Sequence, residues 1–248
     1  MISVTFALPQ ESSDFRRAVR DVRSARRSGG KWVLGKVRGA EVLVGHTGVG
    51  SEAVAQELGD VLREHRPAFL ISAGFAGGLD PQMEVGSLIV ATNFSTPALR
   101  DVARTLLTSD HCFFGPLHTS AAAVERVADK ATLALASGAV AVDMETRAIA
   151  GICRDVGIPL LPLRVISDSA STELPVPFAC WFDLLQQRPR PFALLTYLAL
   201  HPGKVRPFYM FVRGLSPARA RLSEALLKII HNAPVLESSL AGFSRGVS

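Results

Sequence analysis

Continuous apolar segments alternate with amphipathic segments along this chain, and this feature most constrains its fold. Segments rich in valine, isoleucine and leucine predict strands at 4–8, 41–44, 69–72, 87–91, 139–142 and 160–166. Apolar residues at helical spacing predict helices at 51–64, 121–136 and 145–156. Strands that are apolar on both faces need helices packed on both faces. The alternation therefore predicts an α/β layer fold with a central, mostly parallel sheet.

Turns made of small residues follow three of the predicted strands. They lie at 45–50 (GHTGVG), 74–78 (GFAGG) and 167–169 (SDS). Ligands of open α/β sheets bind beyond the carboxyl ends of the strands, where glycine lets backbone approach a ligand closely. The three turns together favour a binding site at this edge of the sheet, whereas any one of them is equally typical of a simple tight turn.

Carboxylates also follow the predicted strands. Asp143 and Glu145 flank Met144 where one strand ends and a helix begins, Asp168 ends another strand, and Glu11 lies just past the first. A single carboxylate at such a place is often a helix cap or a solvated turn residue. Carboxylates from three strand ends fit an enzyme that divides the roles of acid, base and hydroxyl-binding group.

The segment beyond residue 173 differs in composition. Residues 1–173 carry 18 basic and 19 acidic side chains, whereas 174–248 carry 9 basic and 3 acidic, a net charge of +6. Eight of the 17 aromatic residues lie between 174 and 213, and prolines punctuate the segment. We predict short helices near 177–187, 190–200, 204–213 and 217–231, without strands, and a frayed last dozen residues. The chain thus divides into a catalytic core, 1–173, and a helical extension, 174–248, packed on it.

Several classes of function are disfavoured by composition. A near-neutral core argues against nucleic-acid binding, and the basic extension suits an anionic surface instead. Three scattered cysteines suit reduced thiols, the histidines lack metal-ligand spacing, and no segment reaches the roughly 20 apolar residues that span a bilayer. The first residues lack the pattern of a signal peptide. We therefore expect a cytoplasmic protein that needs neither metal nor cofactor.

The motifs resemble the nucleoside phosphorylase and nucleosidase superfamily, most closely its methylthioadenosine/S-adenosylhomocysteine nucleosidase branch. This resemblance implies a three-layer phosphorylase/hydrolase-like fold and cleavage of the N-glycosidic bond of a 5′-substituted adenine nucleoside. The similar segments, in the order and spacing of the family, are ALPQE (7–11), TGVGSEAVA (47–55), SAGFAGGLDPQMEVGSLIVA (72–91), AVDMETRAIAGICRDVGIP (141–159) and LRVISD (163–168).

The resemblance also implies roles for individual residues. Asp168 would be the general acid that protonates N7 of the purine, and Glu11 would activate the attacking water. Glu145 would accept hydrogen bonds from the ribose hydroxyls, with Met144 packed against the sugar. The other implied binding residues are Thr47, Phe75, Ala76, Gly77, Asp143 and Ser167, the last of which would hold Asp168.

Water is favoured over phosphate as the nucleophile. The resemblance implies that the phosphorylase branch of the superfamily holds phosphate with two arginines. One lies in an N-terminal Gly-Asp-Pro-x-Arg loop and the other just before the glycine turn. At the corresponding places this chain has Leu8-Pro9-Gln10-Glu11 and Leu70-Ile71-Ser72. Arg16, Arg17 and Arg20 look like the solvated face of a helix. An anionic Glu11 suits water and repels phosphate, although a phosphorylase remains the alternative.

The chain departs from the nucleosidase branch in two places. Ala123 stands where the branch has a purine-stacking phenylalanine, and Phe113 or Phe114 is the candidate replacement. The extension resembles, more loosely, the hopanoid-associated members, which implies adenosylhopane, a nucleoside with a lipid on its 5′ carbon, as substrate. Peripheral membrane contact through 174–231 and a homodimer are expected partners, and packing of these helices on the core is the simpler reading. A non-catalytic nucleoside-binding or membrane-associated scaffold stays open as a further class.

Overall fold

The computed structural model describes residues 1–25, 32–108 and 112–245. Its strands are β1 (Ile2–Phe6), β2 (Arg20–Ser24), β3 (Trp32–Val37), β4 (Ala40–His46), β5 (Leu70–Gly78), β6 (Leu88–Ala91), β7 (Cys112–Gly115), β8 (Leu117–Thr119), β9 (Ala141–Asp143), β10 (Leu160–Asp168), β11 (Phe182–Asp183) and β12 (Arg188–Pro189). Its helices are α1 (Ser13–Arg16), α2 (Ser51–His65), α3 (Pro97–Leu106), α4 (Val127–Ser137), α5 (Thr146–Val156), α6 (Phe178–Trp181), α7 (Pro191–Leu200), α8 (Val205–His231) and α9 (Ala233–Arg245).

One large sheet forms the centre of the fold, in the order β2-β3-β4-β1-β5-β10-β6-β7, with β8 and β9 attached through β5. Its middle strands β4, β1, β5 and β10 run parallel. The β2–β3–β4 edge, the β10–β6 pair and the β5–β9 pair are antiparallel. The predicted mostly parallel sheet is therefore confirmed, with antiparallel additions at its edges.

Both faces of the sheet are covered by helices. Leu70 packs with apolar residues of α2 and α5, including Leu58 and Ile149. Its neighbour Ile71 packs on the opposite side with residues of α3, α8 and α9, including Leu226. Successive residues of a strand point to opposite faces, so this alternation gives three layers, helices over sheet over helices, as expected.

The extension differs from the predicted series of short helices. The helix predicted at 177–187 ends at Trp181, and β11 and β12 form a hairpin, because the Asp183 carboxylate accepts the amide N–H of Leu185 and of Gln186 at 3.0 Å and closes a turn. The predicted absence of strands here was wrong. So was the break before 217, since α8 continues through Pro217. A proline inside a helix costs about 3 kcal/mol. Burial of the apolar residues that follow it in α8, Ala218, Leu222, Leu226 and Ile229, offsets this cost.

Two other predicted helix boundaries differ from those of the structure. The helix predicted at 121–136 begins six residues later, at Val127, because residues 121–126 form an irregular segment beside the cavity described below. The last dozen or so residues were predicted to fray, yet α9 continues to Arg245 and packs Leu240 against the core, while 246–248 lie outside the described residues. The division of the chain at 173/174 stays a prediction. In the part of the chain that the structure describes, no helix is both long and apolar enough to cross a membrane.

Candidate active site

An open cavity of about 160 Å³ lies at the carboxyl ends of the strands. β1, β5 and β10 run parallel, so the segments that follow them meet at one edge of the sheet. Nine of the ten predicted site residues line this cavity: Glu11, Phe75, Ala76, Gly77, Asp143, Met144, Glu145, Ser167 and Asp168. The tenth, Thr47, is buried beside it and donates its hydroxyl to the Phe6 carbonyl at 3.3 Å.

Glu11 is held between two backbone amides. Its Oε2 accepts the N–H of Leu8 at 2.9 Å, and its Oε1 accepts the N–H of Phe75 at 3.0 Å. Burial raises the pKa of Glu11 above its ordinary value, and this outweighs the two amides, which favour the ionised form. A carboxylate whose pKa is raised in this way binds a proton more readily, so Glu11 is suited to act as a base.

Glu145 lies at the start of α5 and contacts the glycine turn after β4. Its Oε1 accepts the N–H of Gly50 at 2.8 Å, and Gly50 has φ +88°, a conformation that favours glycine. Burial, and secondly the charge of Asp143, raises the pKa of Glu145 to about 8. The group therefore carries a proton through much of the neutral range unless a cation forms beside it.

Asp143 is paired with Arg164, a residue of β10 that is only 2% exposed. Arg164 Nε donates to Asp143 Oδ2 at 3.0 Å, and Nη2 lies 2.9 Å from the same oxygen in an ion pair. The guanidinium also donates to the carbonyl and the hydroxyl of Ser72 at 2.6 and 3.0 Å. Asp143 further accepts the hydroxyls of Thr119 and Thr146. These contacts make Asp143 the anchor of a buried network beside Glu11 and Glu145.

Asp168 ends β10 above Gly77 of β5. Its Oδ1 accepts the hydroxyl of Ser167 at 2.5 Å, which agrees with the expectation that Ser167 holds Asp168. A Cβ atom at position 77 would lie 3.3 Å from Asp168 Oδ2, so glycine leaves space for this carboxyl group. Oδ2 also accepts the ammonium group of Lys130 at 2.5 Å.

A second, small cavity of about 10 Å³ adjoins Glu11. Its polar side chains are those of Thr5, Glu11, Thr47, Ser72, Glu145 and Arg164. A space of this size takes about one water molecule where polar partners surround it. Thr47 is thus placed toward this small cavity and not toward the larger one.

The larger cavity continues from the carboxylates to an apolar end. Phe178 and Trp181 line it from α6, with ring centroids 4.6 Å apart, and Phe211 and Leu215 line it from α8. Ala123, which stands where the nucleosidase branch has a purine-stacking phenylalanine, also lines it.

Neither suggested replacement for the stacking ring belongs to this cavity. The ring of Phe114 lies under the Arg104 guanidinium, 4.4 Å from it, and Phe113 packs in a separate apolar cluster. The suggestion of Phe113 or Phe114 was wrong, because β7 lies at the edge of the sheet, beyond β6.

The β11–β12 hairpin is tied to the glycine turn after β4. The side chain of Gln187 accepts the Val49 N–H at 2.7 Å and donates to the Val49 carbonyl at 2.8 Å. Two such bonds reproduce the pairing of a strand neighbour. They fix α6, with Phe178 and Trp181, over the apolar end of the cavity.

Two residues that contact the carboxylates of the site were not predicted from the sequence. Arg164 gave a usable signal, since a single basic residue within the apolar segment LLPLRVI predicts a buried, paired charge. Lys130 gave none, because a lysine in an amphipathic helix is ordinarily solvated. Arg16 and Arg17 are exposed at the end of α1, as predicted, whereas Arg20 is exposed but begins β2 and does not lie on a helix. Within the described ranges, no group of side chains is arranged to hold a metal ion.

The fold and this cavity define an α/β protein whose carboxylates gather beyond the ends of parallel strands. The model of the Phosphorylase superfamily matches residues 2–137 and 95–180. The chain belongs to this superfamily, which confirms the resemblance found in its motifs.

Individual relatives agree with this family. A 5′-methylthioadenosine/S-adenosylhomocysteine nucleosidase of Marinomonas sp. (strain MWYL1) is 26% identical over 72% of this chain and 90% of its own length. Among solved structures, such a nucleosidase from Colwellia psychrerythraea, in complex with adenine, has a TM-score of 0.71 at 18% identity, covering 93% of this chain and 94% of its own. The futalosine hydrolase of Helicobacter pylori has a TM-score of 0.70 at 17% identity, covering 93% and 97%.

Proposed function

We propose that this protein hydrolyses the N-glycosidic bond of an adenine nucleoside whose 5′ carbon carries a large apolar group. The observation that carries the proposal is a single cavity that is lined both by carboxylates and by large apolar side chains. These are Glu11, Glu145 and Asp168 from the ends of strands, and Phe178, Trp181, Phe211 and Leu215 from α6 and α8. The names of its relatives support the reaction. The loose resemblance of the extension suggests adenosylhopane as the substrate.

The proposed reaction needs an acid on the base and a stabilised ribosyl cation. As the bond between C1′ and N9 breaks, its electron pair goes to N9 and Asp168 gives a proton to N7. The ribosyl group becomes a cation, which Glu145 stabilises when it is already in its ionised form before bond cleavage begins, and the same carboxylate accepts the ribose hydroxyls. Acid catalysis of this kind contributes about 10²–10⁴-fold to the rate.

Water completes the proposed reaction from the Glu11 side. The small cavity lined by Glu11, Ser72 and Arg164 is of a size to hold one water molecule. The water oxygen adds to C1′ and its proton passes to Glu11. Glu11 therefore gains a proton and Asp168 loses one, and exchange with solvent restores both groups after adenine and the sugar leave.

Phosphate is the less favoured nucleophile for an electrostatic reason. Among the residues described, the lining of the larger cavity includes no lysine or arginine but four carboxylates, those of Glu11, Asp143, Glu145 and Asp168. Arg164 lines the small cavity, but its guanidinium is engaged by Asp143 and Ser72. An anion entering the site would meet carboxylates without a free cation.

Adenine release tests the reaction. We expect release from methylthioadenosine, S-adenosylhomocysteine or adenosylhopane without added phosphate, and a loss of about 10²–10⁴-fold in kcat for Asp168→Asn. Release that requires phosphate would establish the phosphorylase instead. Nucleoside binding without turnover would support the non-catalytic scaffold, and an unchanged rate for Asp168→Asn would reject the mechanism.

The apolar end of the cavity makes a quantitative prediction for the 5′ group. Each buried methylene contributes about 0.8 kcal/mol, which is about fourfold in kcat/KM. In the series 5′-methylthio-, 5′-butylthio- and 5′-octylthioadenosine, kcat/KM should therefore rise until the aromatic end is filled. Phe211→Ala should reduce the gain for the octyl compound and not the rate for the methyl compound.

Tyr209→Ala is the matched control for Phe211→Ala, because Tyr209 lies on the same helix and is exposed. A kcat/KM that is highest for the methyl compound and falls with chain length would show that the substrate is a small thionucleoside.

The outer surface of the extension supports the proposed contact with a membrane. Leu185, Phe192 and Leu200 are 93%, 83% and 73% exposed. Exposed arginines lie along the same segments, at positions 188, 190, 206 and 213. Exposed apolar side chains and cations on the same segments match the interface of an anionic bilayer, from which a lipid-linked nucleoside would be taken.

Vesicle sedimentation tests this contact. We expect binding to phosphatidylglycerol vesicles, weaker at high salt, and little binding to phosphatidylcholine alone. Phe192→Ser should weaken it, whereas Leu135→Ser, which removes a 90% exposed leucine from α4, should not. Light scattering tests the predicted homodimer. A dimer dissociated by Phe192→Ser, in a protein that binds no vesicles, would assign this surface to a second copy of the chain.

A further inference from the structure

Lys130 is a fully buried lysine on α4, with 0% of its surface exposed. Its Nζ donates to Asp168 Oδ2 at 2.5 Å and to the carbonyl oxygens of Ser169 and Thr172, each at 2.8 Å. A buried ammonium is costly unless it is paired and hydrogen-bonded. Here all three N–H groups have acceptors, so the ammonium form is fully satisfied.

The contact determines which oxygen of Asp168 can carry the acid proton. An ammonium group has no lone pair, so the Asp168 Oδ2 that faces Lys130 can only accept. A proton on the Asp168 carboxyl group must then reside on Oδ1, which also accepts the Ser167 hydroxyl and has a second lone pair for that purpose. Lys130 thus selects one of the two protonated forms of the acid.

The charge of Lys130 has a second effect. Asp168 is only 5% exposed, and the Lys130 ammonium lies 2.5 Å from its Oδ2, so a positive charge stays beside Asp168 after it gives up its proton. Without that ammonium, the carboxylate left by proton transfer to the purine would be buried without a partner cation.

We propose that Lys130 is a positioning residue for the general acid, fixing the proton of Asp168 on Oδ1 and pairing the carboxylate that remains once the departing base is protonated. The inference rests on the proposed function for its consequence in catalysis. Lys130 does not line the cavity and acts only through Asp168.

Other charged groups surround the pair and bear on any pH dependence. They are Glu125, Arg126 and Asp129 beside Lys130 in the chain, Glu173 after the loop that Lys130 holds, and Glu11, Asp143 and Glu145 in the lining of the cavity. None of these supplies a cation to Asp168 among the ion pairs of the described residues.

Binding of adenine against pH tests the proposal without turnover. Protonated Asp168 donates to N7 of adenine, so the affinity of the wild-type protein for adenine should fall as Asp168 ionises at higher pH. Its affinity for 7-deazaadenine, which has a C–H at that position, should lack this fall. Equal pH dependence for the two ligands would overturn the proposal.

Two variants then separate charge from orientation. Lys130→Met removes both the charge and the N–H donor to Oδ2. We expect the fall in adenine affinity to move to higher pH, and kcat to drop about 10–10²-fold with KM little changed. Lys130→Gln keeps an N–H donor for Oδ2 without the charge, so the same shift in pH should accompany a smaller loss of kcat.

Stability is monitored because an unpaired buried carboxylate destabilises the fold. Leu133→Ala, which trims a half-buried apolar contact on α4, is the control for destabilisation alone and should leave the pH dependence unchanged. A folded Lys130→Met with wild-type kcat and wild-type pH dependence would reduce Lys130 to a structural role. A wild-type protein that releases no adenine would reject the proposed function, while its adenine binding would still decide the role of Lys130.

Discussion

Replacing Arg164 with methionine removes the centre of the buried network behind the carboxylates. The guanidinium makes two contacts with Asp143, two with Ser72 and one, at 2.8 Å, with the hydroxyl of Thr146. Asp143 is 4% exposed and would keep its hydroxyl partners but lose its cation. Breaking a buried ion pair from one side costs about 3–5 kcal/mol. For a chain of this length, this corresponds to roughly 6–20 °C in Tm.

Calorimetry and urea denaturation measure this loss, and a double variant identifies its origin. In Arg164→Met/Asp143→Asn neither charge remains unpaired, so we expect the double variant to be more stable than Arg164→Met alone. A loss below about 1 kcal/mol for Arg164→Met, or additive losses in the double variant, would refute the reasoning, since independent sites add and paired sites do not.

The same substitution has an effect on the pH dependence of activity. The charge of Arg164 lowers the pKa of both Glu11 and Glu145, although burial raises each of them more. Without Arg164 both pKa values rise further. If ionised Glu11 is the base, the acid limb of the kcat/KM profile of Arg164→Met therefore moves to higher pH.

Three further predictions follow from single groups. The pKa of Glu145 is about 8 in the folded protein against an ordinary 4.5. Its contribution to stability is therefore present below pH 4.5 and lost as pH rises through 8. Thermal denaturation should show Glu145→Gln more stable than wild type at pH 9 and equal to it at pH 4. Gly50→Ala forces an alanine to φ +88° and displaces the amide that Glu145 accepts, so it should cost about 1–3 kcal/mol in urea denaturation and raise KM. Burial raises the pKa of Cys112 to about 11 and of Cys153 to about 12, so iodoacetamide at pH 8 should alkylate half-exposed Cys180 first, as mass spectrometry would show.

Strand ends and turns were the most predictable part of the site. Asp168 and Glu145 could be placed from sequence because each follows a continuous apolar segment, and parallel strands bring their carboxyl ends to one edge. Local sequence patterns of this kind predict the site because one rule of topology, the common edge of parallel strands, brings the strand ends together. Thr47 was predicted on the same grounds, but the path of the turn places it toward the small cavity.

The extension was less predictable because its conformation depends on distant partners. The hairpin of β11 and β12 rests on Gln187 meeting Val49, 138 residues away in the chain. The continuity of α8 through Pro217 depends on burial of its second half against the sheet. The prolines predicted that short helices start and break in this segment, and tertiary contacts stabilise a different conformation.

The sequence by itself therefore determined the α/β class, the family and the carboxylates that line the cavity, because these follow from local hydrophobic pattern and from motifs at strand ends. Only the tertiary structure decided which charges lie behind them. Arg164 and Lys130 are both buried by contacts between segments far apart in the chain, the one with Ser72 and Asp143, the other with Asp168. A buried charge is tolerated only where its partners converge, and that convergence is a property of the fold and not of any segment.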